Sequence, residues 1–170
     1  MISAAQEAEF EQFVVTESPR LLGFAFLLVG DHGHAEDLLQ TALFRTARRW
    51  RTAREQPGAY ARRALVNLVK DRARTASRRV GERLLERDEP ARGPAPIEDR
   101  DVLLRACRRL PARQRATLVL RFFEDLSVEQ TAVILRCSTG TVKSQTHKAL
   151  ATLRELLPDD YRMEHIDVDR

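Results

Sequence analysis

LPARQRATLVLRFFEDLSVEQTAVILRCSTGTVKSQTHKALATLREL, residues 110–156, decides the fold. Pro111 stands at a first-turn position, where its missing N–H costs nothing, so a helix is expected over residues 112–124. Ser127 followed by Gln130 has the S-x-x-Q form of a capping box and starts a helix over residues 128–135. After the short turn Arg136, Cys137, Ser138, the serine can cap a last helix over residues 139–157. Two helices joined by so few residues, the second long and cationic, form the helix-turn-helix pattern. On the last helix Val142, Thr146, Ala149, Leu153 and Leu156 share one face and should pack on the domain. Lys143, Ser144, His147 and Lys148 then point away from it, near the end that enters a major groove. Lys143 and Lys148 suit guanine acceptors or phosphates, Ser144 donates or accepts, and Gln145 on the flank suits adenine. The plainer alternative is a helical hairpin with a polar outer surface; a small serine between cations favours DNA.

Upstream, a helix is expected over residues 99–109, and before it the pattern breaks. LLERDEPARGPAPIE, residues 84–98, holds three prolines, one glycine and four acids with little periodicity, which reads as an extended, mobile linker. The chain therefore divides into a domain over residues 5–82, a proline-containing linker over 83–97 and a helix-turn-helix domain over 98–160. In the first domain Phe10, Phe13, Val14 and Glu17 begin a short amphipathic helix. Ser18 and Pro19 read as an N-cap and first helical residue, starting a second helix that runs to Val29. Gly30 and Asp31 open a turn. Another helix is expected over residues 35–51, with Leu38, Leu39, Ala42, Leu43 and Ala47 at three- and four-residue spacings. Gln56 and Pro57 start a long helix over residues 57–79. That helix carries two stripes: Ala61, Ala64, Leu65 and Leu68 for the core, and Arg63, Asn67, Lys70, Arg74 and Arg78 at the spacing that follows a phosphate backbone.

Composition agrees. Leu, Ala and Val dominate the apolar positions and aromatics are 6%, which favours an all-α fold of two small helical domains over a sheet. The formal net charge is only +4, yet residues 45–83 hold thirteen Lys or Arg against three acids, Glu55, Asp71 and Glu82. Solvated helical surfaces usually alternate signs, so this excess implies an anionic partner, nucleic acid before membrane. Cys107 and Cys137 have no metal-type spacing and read as small core hydrophobes of a reduced, cytoplasmic protein. The most apolar run, residues 21–29, is too short to span a bilayer.

The stretch at residues 110–156 resembles the promoter −35-reading domain of the extracytoplasmic-function sigma factors of bacterial RNA polymerase, and PRLLGFAFLLVGDHGHAEDLLQTALFRTARRW, residues 19–50, resembles their polymerase-binding and −10 domain, continued by ARRALVNLVKDRAR at 61–74. The resemblance implies a sigma-70-type factor, closest in kind to the actinobacterial sigma-E group, with core RNA polymerase, promoter DNA and an anti-sigma protein as partners. It implies that Asp37, Leu38 and Gln40 contact the polymerase clamp; the family usually has an acid where Thr41 stands. It implies that residues 51–57, with Arg51, Thr52 and Arg54, capture an unstacked −10 base, and that Tyr60, Arg63, Asn67, Lys70 and Arg74 grip −10 DNA. Trp50 and Tyr60 are either stacking surfaces or core anchors. Thr141, Lys143, Ser144, Gln145, His147 and Lys148 fall at −35-reading positions, where Gln145 replaces a common Arg, and Arg113 and Arg115 would clamp the backbone. The linker would thread the polymerase's RNA exit region.

Two other classes account for parts of the sequence less well. A plain helix-turn-helix regulator accounts for residues 110–157 but leaves the cationic first domain unused. An enzyme on nucleic acid needs a metal cluster or a nucleophile–base pair, and the sequence offers neither. His32 and His34, near Glu36 and Asp37, lack a third and fourth ligand and read as solvent-facing turn residues. No catalytic residue, metal or cofactor is expected.

Overall fold

The protein is described by a computed structural model covering residues 4–80 and 99–157. Those residues form α1 (Ala4–Val29), α2 (His32–Arg48), α3 (Trp50–Ala53), α4 (Pro57–Val80), α5 (Asp99–Arg109), α6 (Ala112–Leu118), a π turn (Val119–Phe123), α7 (Val128–Leu135) and α8 (Thr139–Leu156). No strand occurs among them, as an all-α sequence requires. The expected linker at 83–97 lies outside the described residues.

The N-terminal half is built on α1, which packs on α2 and α4. Here the structure corrects the sequence reading: Ser18 and Pro19 do not separate two helices, and Pro19 sits inside one helix of 26 residues. An interior proline removes an N–H bond to the residue four back and costs about 3 kcal/mol. The helix continues because Pro19 and Val15 are both on the outer surface, where water serves the freed carbonyl, while Phe13, Leu21, Phe24, Ala25 and Leu28 are buried on the other side. The merged helix contains an apolar stretch that is long enough to cross a bilayer by length and composition, which the split reading had excluded. Five of its apolar side chains nevertheless lie in the protein's own core.

α2 starts earlier than its periodicity suggested. Asp31 is extended (φ −134°) and its Oδ1 accepts the His34 backbone N–H at 2.8 Å, so the N-cap falls at Asp31 and the histidines belong to the first turn. Gly30 precedes it at φ +75°, a left-handed conformation that a side chain resists. Of the apolar stripe expected on α2, Leu38, Leu39 and Ala42 are buried, Leu43 and Ala47 are half-buried, and Ala35 adds to the core. On α4, Ala61, Ala64 and Leu65 are buried as expected, joined by Val66.

In the C-terminal half the capping box is complete: the Gln130 N–H donates to Ser127 Oγ at 3.1 Å, and the Ser127 N–H donates to Gln130 Oε1 at 2.8 Å. Ser138 caps α8 by accepting the Thr141 N–H at 3.1 Å. Arg136 closes α7 in the left-handed region, φ 52°. The helix expected over residues 112–124 is regular only to Leu118. It then widens into the π turn, where the Glu124 N–H donates to the Val119 carbonyl five residues back. Asp125 follows at φ 52°, a left-handed conformation that Asp tolerates better than most residues.

The halves do not stand apart. One apolar cluster joins Leu21, Phe24, Leu65 and Val66 of the first half to Ala116, Val119, Leu120, Ile134 and Leu135 of the second. A smaller cluster under α8 holds Ala106, Leu110, Leu118, Ala149, Leu150, Leu153 and Leu157.

Candidate DNA and polymerase interfaces

The last helix turns outward the residues expected to face away from the core. Val142, Ala149, Leu150 and Leu153 are buried, which turns Lys143, Ser144, His147 and Lys148 out to solvent on the N-terminal half of α8. Gln145 and Thr141 are half-buried. Thr141 is occupied as part of the cap, its hydroxyl 2.9 Å from that of Ser138. Arg113 is exposed. Arg115 is turned inward: its guanidinium donates to the Leu110 carbonyl at 3.3 Å, and burial pulls its pKa down. Burial likewise raises the neighbouring Cys107 thiol, which Arg115 pulls the other way.

On α2, Asp37 and Gln40 are exposed, but Leu38 is 8% exposed and belongs to the core. The outward face runs through Asp37, Gln40, Thr41, Phe44 and Arg48, positions separated by three, four, seven and eleven residues from the first. Phe44 was not singled out from the sequence, although the same helical spacing points to it. It is 64% exposed, with the Arg48 guanidinium 5.9 Å from its ring centre. The Thr41 hydroxyl donates back to the Asp37 carbonyl at 2.9 Å.

The expected base-capturing segment is partly helical. Arg51 and Thr52 lie on the single turn α3, Arg54 follows it, and all three are exposed. Trp50 anchors that turn from below: it is 2% exposed and packs edge-on against Phe10 at 5.1 Å, so it is a core residue and not a free stacking surface. Tyr60 is half-buried at the start of α4. Along α4 the basic stripe divides. Asn67 and Arg74 are exposed, whereas Arg63 and Lys70 are half-buried against the C-terminal half, and Arg78 lies outside the described side chains. The Arg63 guanidinium donates to the Val133 carbonyl at 3.0 Å. Burial lowers the pKa of both; Arg136 adds to the effect on Arg63, and Arg113 to that on Lys70.

Arg62, which the sequence reading passed over, holds the most buried charge pair. Its Nε donates to Glu124 Oε2 at 2.6 Å and its Nη2 lies 3.5 Å from Glu17. His32 stacks on Phe26 at 4.3 Å, and His34 Nε2 lies 2.9 Å from the Arg72 guanidinium. Among the described residues no three His, Cys, Asp or Glu side chains converge on one point.

A capped helix-turn-helix with a cationic outer face, joined to a second basic helical module, defines a DNA-binding transcription factor. Two family models match the chain: sigma-70 region 2 over residues 13–79, and sigma-70 region 4 over residues 100–153. The RNA polymerase sigma-E factor of Streptomyces coelicolor is 43% identical over 155 residues, covering 88% of this chain and 86% of that protein. The sigma-E factor of Streptomyces avermitilis is 41% identical over a similar share, 88% and 85%. The sigma factor RpoE of Bartonella quintana, solved in complex with the anti-sigma factor NepR, superposes with a TM-score of 0.68 at 27% identity, covering 86% of this chain and 95% of that one. The chain belongs to the sigma-70 family, in its extracytoplasmic-function group. It is a sigma factor, which binds core RNA polymerase and directs it to promoters by their −10 and −35 elements.

Proposed function

We propose a division of labour between the halves. Residues 5–82 seat on core polymerase through the outward face of α2, with Asp37 and Gln40 as contacts and Phe44 as their apolar neighbour. Leu38 supports that face from the core. The same half takes the opened −10 strand: Arg51, Thr52 and Arg54 border the base-capturing turn, and Tyr60, Arg63, Asn67, Lys70 and Arg74 line α4 toward the strand. Unstacking a base costs a few kcal/mol, which stacking and cationic contacts to the strand offset. Residues 98–160 read the −35 element as duplex, with Lys143, Ser144, Gln145, His147 and Lys148 toward bases and Arg113 toward phosphate. Arg115 acts through the helix it braces, since its guanidinium is spent on the Leu110 carbonyl. Residues 83–97 set the spacing. The protein works in the cytoplasm and catalyses nothing itself. An anti-sigma protein is its expected antagonist, a reading supported by the Bartonella quintana relative solved with NepR.

The observation that carries this reading is the solvent-facing set Lys143, Ser144, His147 and Lys148 at the entry end of a capped α8. The test is a −35 mutant library transcribed by holoenzyme carrying Lys143→Ala or Lys148→Ala. Base preference should change at particular −35 positions; an unaltered preference and salt dependence in both variants would refute the assignment.

A further inference from the structure

The outward face of α8 is cationic and bare. The chain holds three lysines, Lys70, Lys143 and Lys148, and two of them stand on this face with His147. Lys143, His147 and Lys148 are exposed, and among the described residues no acid lies within ion-pair distance of them. Glu129 at the start of α7 feels the charge of Lys143 but does not reach it. Arg154, also exposed, adds a cation nearer the C-terminal end of the helix. Cations gathered without acids repel one another and draw an anion.

One such anion is part of the chain itself. PDDYRMEHIDVDR, residues 158–170, follows α8 and carries five of the chain's 25 acids, Asp159, Asp160, Glu164, Asp167 and Asp169, against Arg162 and Arg170. Ile166, Asp167, Val168 and Asp169 alternate, so an extended chain would put both acids on one side. The helix does not run on into this segment. Leu157 leaves helical geometry at ψ 141°, its side chain stays in the cluster under α8, and Pro158 follows. The segment therefore leaves from a fixed point at the foot of the same helix. Lys143 lies fourteen residues before Leu157, about 21 Å along the axis. Thirteen extended residues span about 43 Å, so the acids can return that far.

We propose that residues 158–170 fold back along α8 as an intramolecular anion, setting Glu164, Asp167 and Asp169 against Lys143, His147 and Lys148, and occupy the −35 face until promoter DNA displaces them. This rests on the assignment of that face to −35 DNA. A single exposed ion pair contributes little, but several acids on one short tether act together at an effective concentration on the order of mM. Duplex DNA competes for the same cations and adds base contacts that the tail lacks. The tail weakens every duplex by one factor, so complexes held by phosphate alone are lost first.

The test couples carboxylates to amines with a zero-length carbodiimide in the full, unsubstituted chain and maps the products by mass spectrometry. Tail acids should couple to Lys143 or Lys148, and excess −35 duplex should suppress the product. Coupling to Lys70 instead, or no coupling of the tail, overturns the proposal. A second measurement compares two triple variants that each raise the net charge by the same amount. One is Glu164→Gln with Asp167→Asn and Asp169→Asn; the other, at exposed positions of α1, is Glu7→Gln with Glu9→Gln and Glu11→Gln. If the face is free about one-tenth of the time, neutralising the tail tightens −35 duplex binding about tenfold at low salt. The gain should shrink as salt screens the tail, and the α1 set should leave binding unchanged. Equal tightening by both sets, or by neither, overturns the covering of the −35 face. The underlying assignment fails separately: tail coupling would then persist while Lys143→Ala and Lys148→Ala leave −35 base preference unaltered.

Discussion

Asp31 shows how one residue can set both an element boundary and a pH response. The His34 N–H bond holds its carboxyl below the usual range; desolvation opposes it, and the nearby His34, His32 and Arg108 add to the lowering. A carboxyl depressed in the folded state stabilises the fold above its unfolded pKa, near 4, and loses that contribution as pH falls through the folded value. Thermal melts from pH 6 down to pH 2 should therefore fall less steeply for Asp31→Asn, which can still cap but does not titrate. Parallel slopes would contradict the assignment. Ser138 makes the corresponding cap on α8 without a charge, so Ser138→Ala should cost about 1 kcal/mol, independent of pH, in denaturant titration. Both caps were readable in outline from small polar residues before apolar periodic runs, although Asp31 was read as a turn and not as a cap. Leu38, which the family's contact pattern puts among the polymerase contacts, is buried at 8% exposure because its helical angle turns it to the core.

At the scale of elements, α8 gives the sharpest prediction. Lys143→Ala and Lys148→Ala should each cost about 1–3 kcal/mol of −35 binding by holoenzyme if they contact bases. A lysine touching only phosphate would instead weaken all sequences evenly and reduce the salt slope by about one unit. α1 tests a different balance. Pro19 is exposed inside the helix, so Pro19→Ala should raise stability by roughly 2 kcal/mol, the helix penalty less the lost rigidity of the unfolded chain; no gain would mean that α1 is not continuous there. The sequence made α7 and α8 legible because their caps are local. It hid the continuity of α1 and the π turn after Leu118. The proline rule holds for an isolated helix and is overridden by burial of Leu21 and Phe24 within the next turn and a half, while the π turn answers to where Glu124 ends up, across the seam.

For the whole molecule, the sequence expects two parts while the structure joins them in one shared apolar core, because contacts between halves leave no periodic trace. Arg62, hidden among thirteen cations of residues 45–83, is set apart by its partners Glu17 and Glu124, the latter sixty-two residues downstream. Because Leu120 is fully buried in the cluster common to both halves, Leu120→Ala should lower the stability of both together by about 2–5 kcal/mol, read as one shifted calorimetric transition. A second transition that stays in place would show the halves to be independent. The division of labour meets its most direct test in purified protein added to sigma-free core RNA polymerase on a promoter template, with transcript start sites sequenced. The protein should bind core and yield transcripts from discrete starts downstream of paired −35 and −10 elements; failure to associate with core, or promoter binding undiminished without it, would contradict the account.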